Sequence, residues 1–302
     1  MTSTPQRSAG FPITAAVLAV VVHGLWGANP VAVKFGLEAF PPLWSAFIRF
    51  AIGSACIALW ARSRGIRLLP EPSEWPSLGL ISLIFLFQIF AMNTGYGMSS
   101  GSVGAVLTST YPLFTGIFAH FFLTDDKLTG RKALGLAVAF GGAVLVLLHD
   151  SRAGGGAWLS VGGAIVLFSA FLLGARATYT AHLLRRIHPV RIVLWQALLA
   201  LPVFALGGYV FETVRWHGIT VASVSGLLYQ GIVIAGFGFT VNTMMVSRYG
   251  PSLINAFDFV APISGVALSL WLLSESLSWQ IAAGTVTVGL GLYFIAWTPA
   301  RR

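Results

Sequence analysis

Charge is what this sequence has least of. Only 9% of the 302 residues are charged, 18 basic and nine acidic, against roughly 25% in soluble domains. So few charges cannot cover a soluble fold of this length. Cysteine is nearly absent as well. Cys56 stands alone, which excludes an internal disulfide framework and a cysteine-rich zinc site. It lies in an apolar run and reads as a packed, inert thiol. Clustered catalytic groups are missing too. His182 and His188 flank Arg185 and Arg186, with no acid or nucleophile at a recognisable spacing. Gly154-Gly155-Gly156 lacks the lysine and helix context of a phosphate loop and reads as an outer loop. The reading is therefore no enzyme, no metal and no cofactor.

What the chain has is apolar surface. Hydrophobic residues make up 56% of it, too many for a disordered chain. Ten runs approach the roughly 20 residues that a spanning helix needs. They lie at about 13–37, 43–61, 76–98, 102–123, 132–149, 157–181, 189–211, 219–247, 252–273 and 279–297. The first is too long for a signal peptide and contains His23 and Asn29, so it reads as a spanning helix. Trp158, Trp216, Trp279 and Trp297 lie near run ends, as interfacial anchors do.

The net charge of +9 does not point to nucleic acid, because the basic residues sit in short clusters between apolar runs. They read as topology signals. With the N-terminus in the cytosol, the cytosolic segments hold Arg7, Arg62, Arg64, Arg67, Lys127, Arg131, Lys132, Arg176, Arg185, Arg186, Arg191, Arg248, Arg301 and Arg302. The outer loops hold only Arg152 and Arg215. Both termini are then cytosolic.

The chain also matches itself. Asp126, Leu128, Gly135 and Gly142 recur as Glu275, Leu277, Gly284 and Gly291 at an offset of 149. Pro112 matches Pro262, and Pro42 matches Pro189. Two repeats follow, 1–150 and 151–302, each with five helices. An odd number of spans turns the second repeat upside down relative to the first, as in many secondary transporters. The expected fold is an all-α membrane protein: ten transmembrane helices in two inverted five-helix repeats around a central cavity.

Trp26-Gly27-Ala28-Asn29 with Lys34, Arg49 seven residues after Pro42, and the paired segments Pro112…Asp126-x-Leu128…Gly135 and Pro262…Glu275-x-Leu277…Gly284 resemble the EamA family of the drug/metabolite transporter superfamily. Within it, the chain most resembles the YddG-type aromatic amino-acid exporters of bacterial inner membranes. The resemblance implies small-metabolite transport by alternating access. It departs from the family pattern at Asp126, where glutamate is usual. The second half also has Gly174, Ala181 and Gln196 where the first carries its tryptophan-glycine, lysine and arginine signals.

Polar groups inside a bilayer are costly, so each needs a partner, a cavity or a role. Asp258 is the only acid deep in a predicted span, and it shares a face with Asn255 and Pro262. Thr108, Pro112 and Thr115 make a comparable face, with Tyr111 beside it. Both prolines should kink their helices. Asp258 reads as a substrate-amine contact or protonation site, or else as a packing partner of a neighbouring basic group or tyrosine. His23, Trp26, Pro30 and Lys34 form one stripe. His23 is a proton carrier or a neutral core histidine, Trp26 a cavity wall or core. Lys34 is assigned a structural or gating role. Arg49 is assigned to bracing by backbone carbonyls, with carboxylate recognition as the alternative. Gln88, Asn93 and Tyr96, with Gln230 and Asn242, are candidate cavity residues or helix-to-helix contacts.

The expected function is export of small amphiphilic metabolites, aromatic amino acids foremost. A multidrug or organic-cation exporter is the alternative. A membrane-embedded enzyme and a structural membrane protein are the less favoured readings. Expected partners are the substrate and the bilayer, with protons as candidate co-substrates and facilitated diffusion equally compatible. A monomer is expected.

Overall fold

The structure, a computed structural model, describes residues 12–122, 129–153 and 160–296. Asp126, Leu128, the three glycines 154–156, Trp158, Trp297 and the basic residues Arg7, Lys127, Arg301 and Arg302 lie outside the described residues. All regular secondary structure among the described residues is helical. Nine helices among them are long and apolar enough to cross a membrane. They are α1 (Ile13–Ala39), α2 (Pro42–Ser63), α3 (Pro72–Met98), α4 (Gly101–Phe122), α5 (Gly130–Leu148), α6 (Val161–Leu183), α7 (Pro189–Phe211), α8 (Val221–Tyr249) and α9 (Asn255–Leu272). A shorter apolar helix, α10 (Trp279–Ile295), follows.

Local chemistry sets the helix ends. α2 and α7 begin on prolines, which lack only an N–H that would be orphaned there. Ser160 accepts from the Gly163 N–H, and Thr220 and Ser223 form a reciprocal capping box. Two ends are capped from far along the chain. Glu212 accepts from the N–H groups of Leu43 and Trp44 at the start of α2, at 2.9–3.1 Å. Glu275 accepts from the N–H groups of Gly101 (2.6 Å) and Ser102 (3.0 Å) and from the Ser102 hydroxyl (2.6 Å) at the start of α4. A carboxylate is favoured there by both the orphan donors and the helix dipole. Glu275→Ala is expected to cost about 1–2 kcal/mol. Unfolding in detergent checks this, with Leu277→Ala, at an exposed position, as the silent control. Equal stability of the two variants would remove the cap's assigned role.

At the other end of the bundle, Arg191 pairs with Glu74 at 2.9 Å. Nearby, the ring Nδ1 of His188 accepts from the Val190 N–H. Partial burial, and then the charge of Arg191, push the His188 imidazole below its usual pKa, keeping the ring neutral and able to accept.

Several helices are interrupted at mid-length. α1 breaks at Ala28, just before Pro30. α4 breaks at Ser109–Thr110, just before Pro112. α9 opens with a 3₁₀ turn, Asn255–Phe257, then breaks at Asp258–Phe259, just before Pro262. Each proline removes a donor and crowds the carbonyl four residues back. Pro202 does not interrupt α7. α8 widens into π-helix over Tyr229–Gly238. Cys56 on α2 packs against this wide stretch, beside Gly236.

Glycines permit two close approaches. A Cβ on Gly135 of α5 would stand 2.7 Å from the Gly291 carbonyl oxygen of α10, and one on Gly291 would stand 2.6 Å from that of Gly135. Gly142 and Gly284 repeat the contact two turns away. Gly27 of α1 lies equally close to the backbone of α9 at Ala261 and Gly265. Between the helices, Phe50, Phe85 and Phe204 form a buried aromatic cluster, with the Phe50 and Phe85 rings 4.6 Å apart.

Candidate substrate site

The broken helices surround a cavity of about 230 Å³. It runs from Gly27 and Asn29, midway along α1, and Ala105, one turn into α4, to Lys132, Val246 and Pro251 at helix ends. Its walls are mainly apolar, with a few inward polar groups, as in most small-molecule sites.

Asp258 sits where α9 breaks and is 2% exposed. Its Oδ1 accepts from the Tyr111 hydroxyl at 2.8 Å and lies 2.9 Å from His23 Nε2. Its Oδ2 is buried without a hydrogen-bond partner. His23 Nδ1 lies 2.8 Å from the Ala19 carbonyl oxygen. A carbonyl can only accept, so Nδ1 carries a proton. Nε2 faces the same Asp258 oxygen at 2.9 Å, close enough for a proton carried by either group to lie between them. With one such proton the pair is neutral overall. The Trp26 ring packs edge-on against His23 (centroids 5.3 Å apart) and Phe239 (5.9 Å), and it lines the cavity. His23 is buried behind that lining and reaches it through Asp258.

Asn255, Thr108, Tyr111, Pro112, Gln88, Tyr96 and Asn242 line the same cavity. The Tyr96 hydroxyl bonds the Thr108 hydroxyl at 2.7 Å, joining α3 to α4. Pro262 is buried outside the lining.

Four expectations are corrected. Asn93 and Gln230, expected at the cavity, do not line it. Asn93 donates to the Pro42 carbonyl at 2.8 Å, and Gln230 donates to the Ala32 carbonyl at 2.8 Å. Both satisfy backbone oxygens of a neighbouring helix instead. Arg49, expected to be braced by carbonyls, has no hydrogen-bond partner for Nε or Nη1. It is 1% exposed, lines the cavity, and rests its guanidinium 4.6 Å from the Phe50 ring centroid. Arg176, counted among cytosolic residues, lies inside α6 with two further turns of helix beyond it. It is 9% exposed, lines the cavity, and faces the Phe85 and Phe239 rings at 5.1 and 5.3 Å. Its Nη1 has no partner. The signal in the sequence was an arginine inside a run otherwise free of charge from Val161 to Thr180. Gln196, noted only as the counterpart of Arg49, also lines the cavity and leaves Oε1 unpartnered.

Lys34 points away from the cavity. Its Nζ donates to the Ser99 carbonyl at 2.7 Å and the Tyr96 carbonyl at 3.3 Å, at the end of α3. A cation there satisfies terminal carbonyls and complements the helix dipole.

Comparison with known proteins agrees with this architecture. A probable amino-acid metabolite efflux pump of Escherichia coli (strain K12) is 26% identical over 287 residues, covering 92% of this chain and 93% of that one. An uncharacterized transporter of Archaeoglobus fulgidus is 25% identical over 283 residues, covering 92% and 97%. A solved crystal structure superposes with a TM-score of 0.72 at 19% identity, over 93% of this chain and 96% of its own, a likeness of fold. The EamA-like transporter family matches twice, over residues 13–148 and again over 160–297. A multi-pass helical chain matched over nearly its whole length in this way belongs to the EamA-like transporter family.

Proposed function

We propose that the protein exports small amphiphilic metabolites, aromatic amino acids foremost, across a bacterial inner membrane by alternating access. The paired breaks carry this reading. α4 breaks at Ser109–Thr110 and α9 at Asp258–Phe259, 149 positions apart, and each break borders the cavity. The same offset relates the glycines of α5 and α10. It supports two inverted five-helix repeats, 1–150 and 151–302, forming ten transmembrane helices with both termini in the cytosol. In such a molecule the halves exchange shapes around one site.

In that orientation the cavity opens toward the cytosol. Glu275, Glu212 and Lys34 bind helix ends on the outer side, so the arrangement is the inward-facing state. The apolar walls suit the body of an amphiphile. The printed name of the Escherichia coli relative, an amino-acid metabolite efflux pump, favours the substrate class. The proton shared by His23 and Asp258 is the candidate coupling proton. The unit of transport is a monomer, because one chain surrounds the cavity.

The test is counterflow in proteoliposomes. Vesicles loaded with unlabelled phenylalanine should accumulate labelled phenylalanine only when they contain the protein, and other aromatic amino acids should compete. A proton gradient should alter the rate if the shared proton is coupled. No accumulation in vesicles holding folded protein would overturn the aromatic assignment. Competition by organic cations alone would favour the organic-cation exporter.

A further inference from the structure

We infer that Arg49 and Arg176 form a clamp for the substrate's carboxylate, so that the acid group anchors the ligand and its amine is dispensable. This rests on the transport reading of the cavity and names the chemical class the cavity selects.

Two guanidiniums line one cavity, and each is at least nine-tenths buried. Arg49 Nε and Nη1 and Arg176 Nη1 have no hydrogen-bond partner. Buried charges are normally paired, because burial strips them of hydration. The aromatic rings beneath them stabilise the cations but bring no negative charge. The rings belong to one cluster, since Phe50 lies 4.6 Å from Phe85 and 6.3 Å from Phe239. The guanidiniums are therefore held on a common support with donors still free.

Among the described residues, Asp258 is the only acid that lines the cavity. Its Oδ1 is already engaged, facing His23 at 2.9 Å and accepting from Tyr111. A cavity with two uncompensated guanidiniums repels organic cations and attracts anions. Planar forks of donors match a carboxylate. The remaining polar groups are of the opposite kind. Asp258 Oδ2, Asn242 Oδ1 and Gln196 Oε1 line the cavity as acceptors without donors. They can receive an ammonium, hydroxyl or amide N–H, so amino acids, hydroxy acids and N-acyl acids all fit. A decarboxylated amine leaves both guanidiniums unpaired and does not fit.

Three probes with one aromatic body separate these cases: 3-phenylpropanoate, phenethylamine and phenylalanine. Binding is read from the thermal stabilisation of purified protein in detergent. Both carboxylates should raise Tm, and phenethylamine should bind at least about tenfold more weakly than 3-phenylpropanoate. Arg49→Gln and Arg176→Gln should each weaken 3-phenylpropanoate by about thirtyfold or more. Arg176→Lys keeps the charge but loses the fork, and should fall between wild type and Arg176→Gln. If a variant does not fold, the ranking of probes on the wild-type protein still decides. The clamp is overturned if the amine binds as well as the carboxylate, if either glutamine variant keeps wild-type affinity, or if no probe binds. Carboxylate binding without counterflow would overturn the transport reading and leave the clamp standing. Counterflow of amines in preference to carboxylates would do the reverse.

Discussion

Replacing His23 with alanine is expected to destabilise the protein by about 3–5 kcal/mol. The ring touches Ala19 on its own helix, Asp258 across the bundle and the Trp26 ring in a T-shaped contact. Its removal leaves the Asp258 carboxyl at 2% exposure with the Tyr111 hydroxyl as its remaining side-chain partner. At 2% exposure a carboxylate stranded in this way recovers little of its hydration. Removing both members should therefore hurt less than removing His23 alone. The double variant His23→Ala/Asp258→Asn is expected to recover about 0.5–3 kcal/mol relative to the sum of the single losses. Unfolding titrations in mixed micelles provide all four corners of the cycle. Purely additive losses would show that the pair is adjacent but not coupled. Asp258→Asn by itself keeps the shape of the carboxyl while removing its titration. If the shared proton couples transport, this variant should fold and lose its response to a proton gradient in the counterflow assay.

Gly27→Val should cost about 3 kcal/mol, the upper end for overpacking. A Cβ at Gly27 would stand 2.6 Å from the Ala261 carbonyl oxygen and 2.8 Å from the Gly265 nitrogen, besides meeting the Ser264 hydroxyl. Two of these neighbours are backbone atoms of α9 and cannot rotate aside. The helices must move apart instead, and the gap opens a single turn away from the His23–Asp258 contact. The variant should lose stability and transport together. Gly79→Val is the control, because a Cβ there meets nothing within 4 Å; it should stay within about 0.5 kcal/mol of wild type. Equal losses at the two positions would mean that helix propensity, rather than the α1–α9 approach, sets the cost.

The helical runs were legible because lipid demands length and apolar composition together, and few other segments satisfy both. The breaks at α4 and α9 were legible for a similar reason, since proline acts on its own backbone. The rotation of each helix about its axis was not. Successive residues turn by about 100° on a helix, so one position separates Met92 from Asn93. Both are buried and neither lines the cavity; Asn93, set to one side of the Gln88–Tyr96 face by its spacing, points to Pro42. Gln230 was harder still. It lies in the π-helical stretch of α8, where the 3.6-residue period used to assign faces does not apply. Arg176 was lost to a different ambiguity. A basic residue near the end of an apolar run reads as a topology signal, yet α6 continues to Leu183 and buries it. The polar face around Asp258 was legible from its spacing, and so was pairing with a basic group or tyrosine as one of its open readings; that the partners are His23 and Tyr111 was not.

The seam between α5 and α10 has a consequence for how the molecule is made. Gly135 and Gly142 lie against Gly291 and Gly284 at backbone distance, yet the two sides are separated by some 150 residues of chain. Ribosomes deliver the N-terminal side first. α5 therefore enters the bilayer with its glycine groove facing lipid and stays that way until nearly all the remaining chain has been translated. Assembly cannot be completed helix by helix in order of synthesis. The nascent protein must wait as an open intermediate, and a chain stopped before Trp279 would leave that groove permanently unfilled for quality-control proteases to recognise.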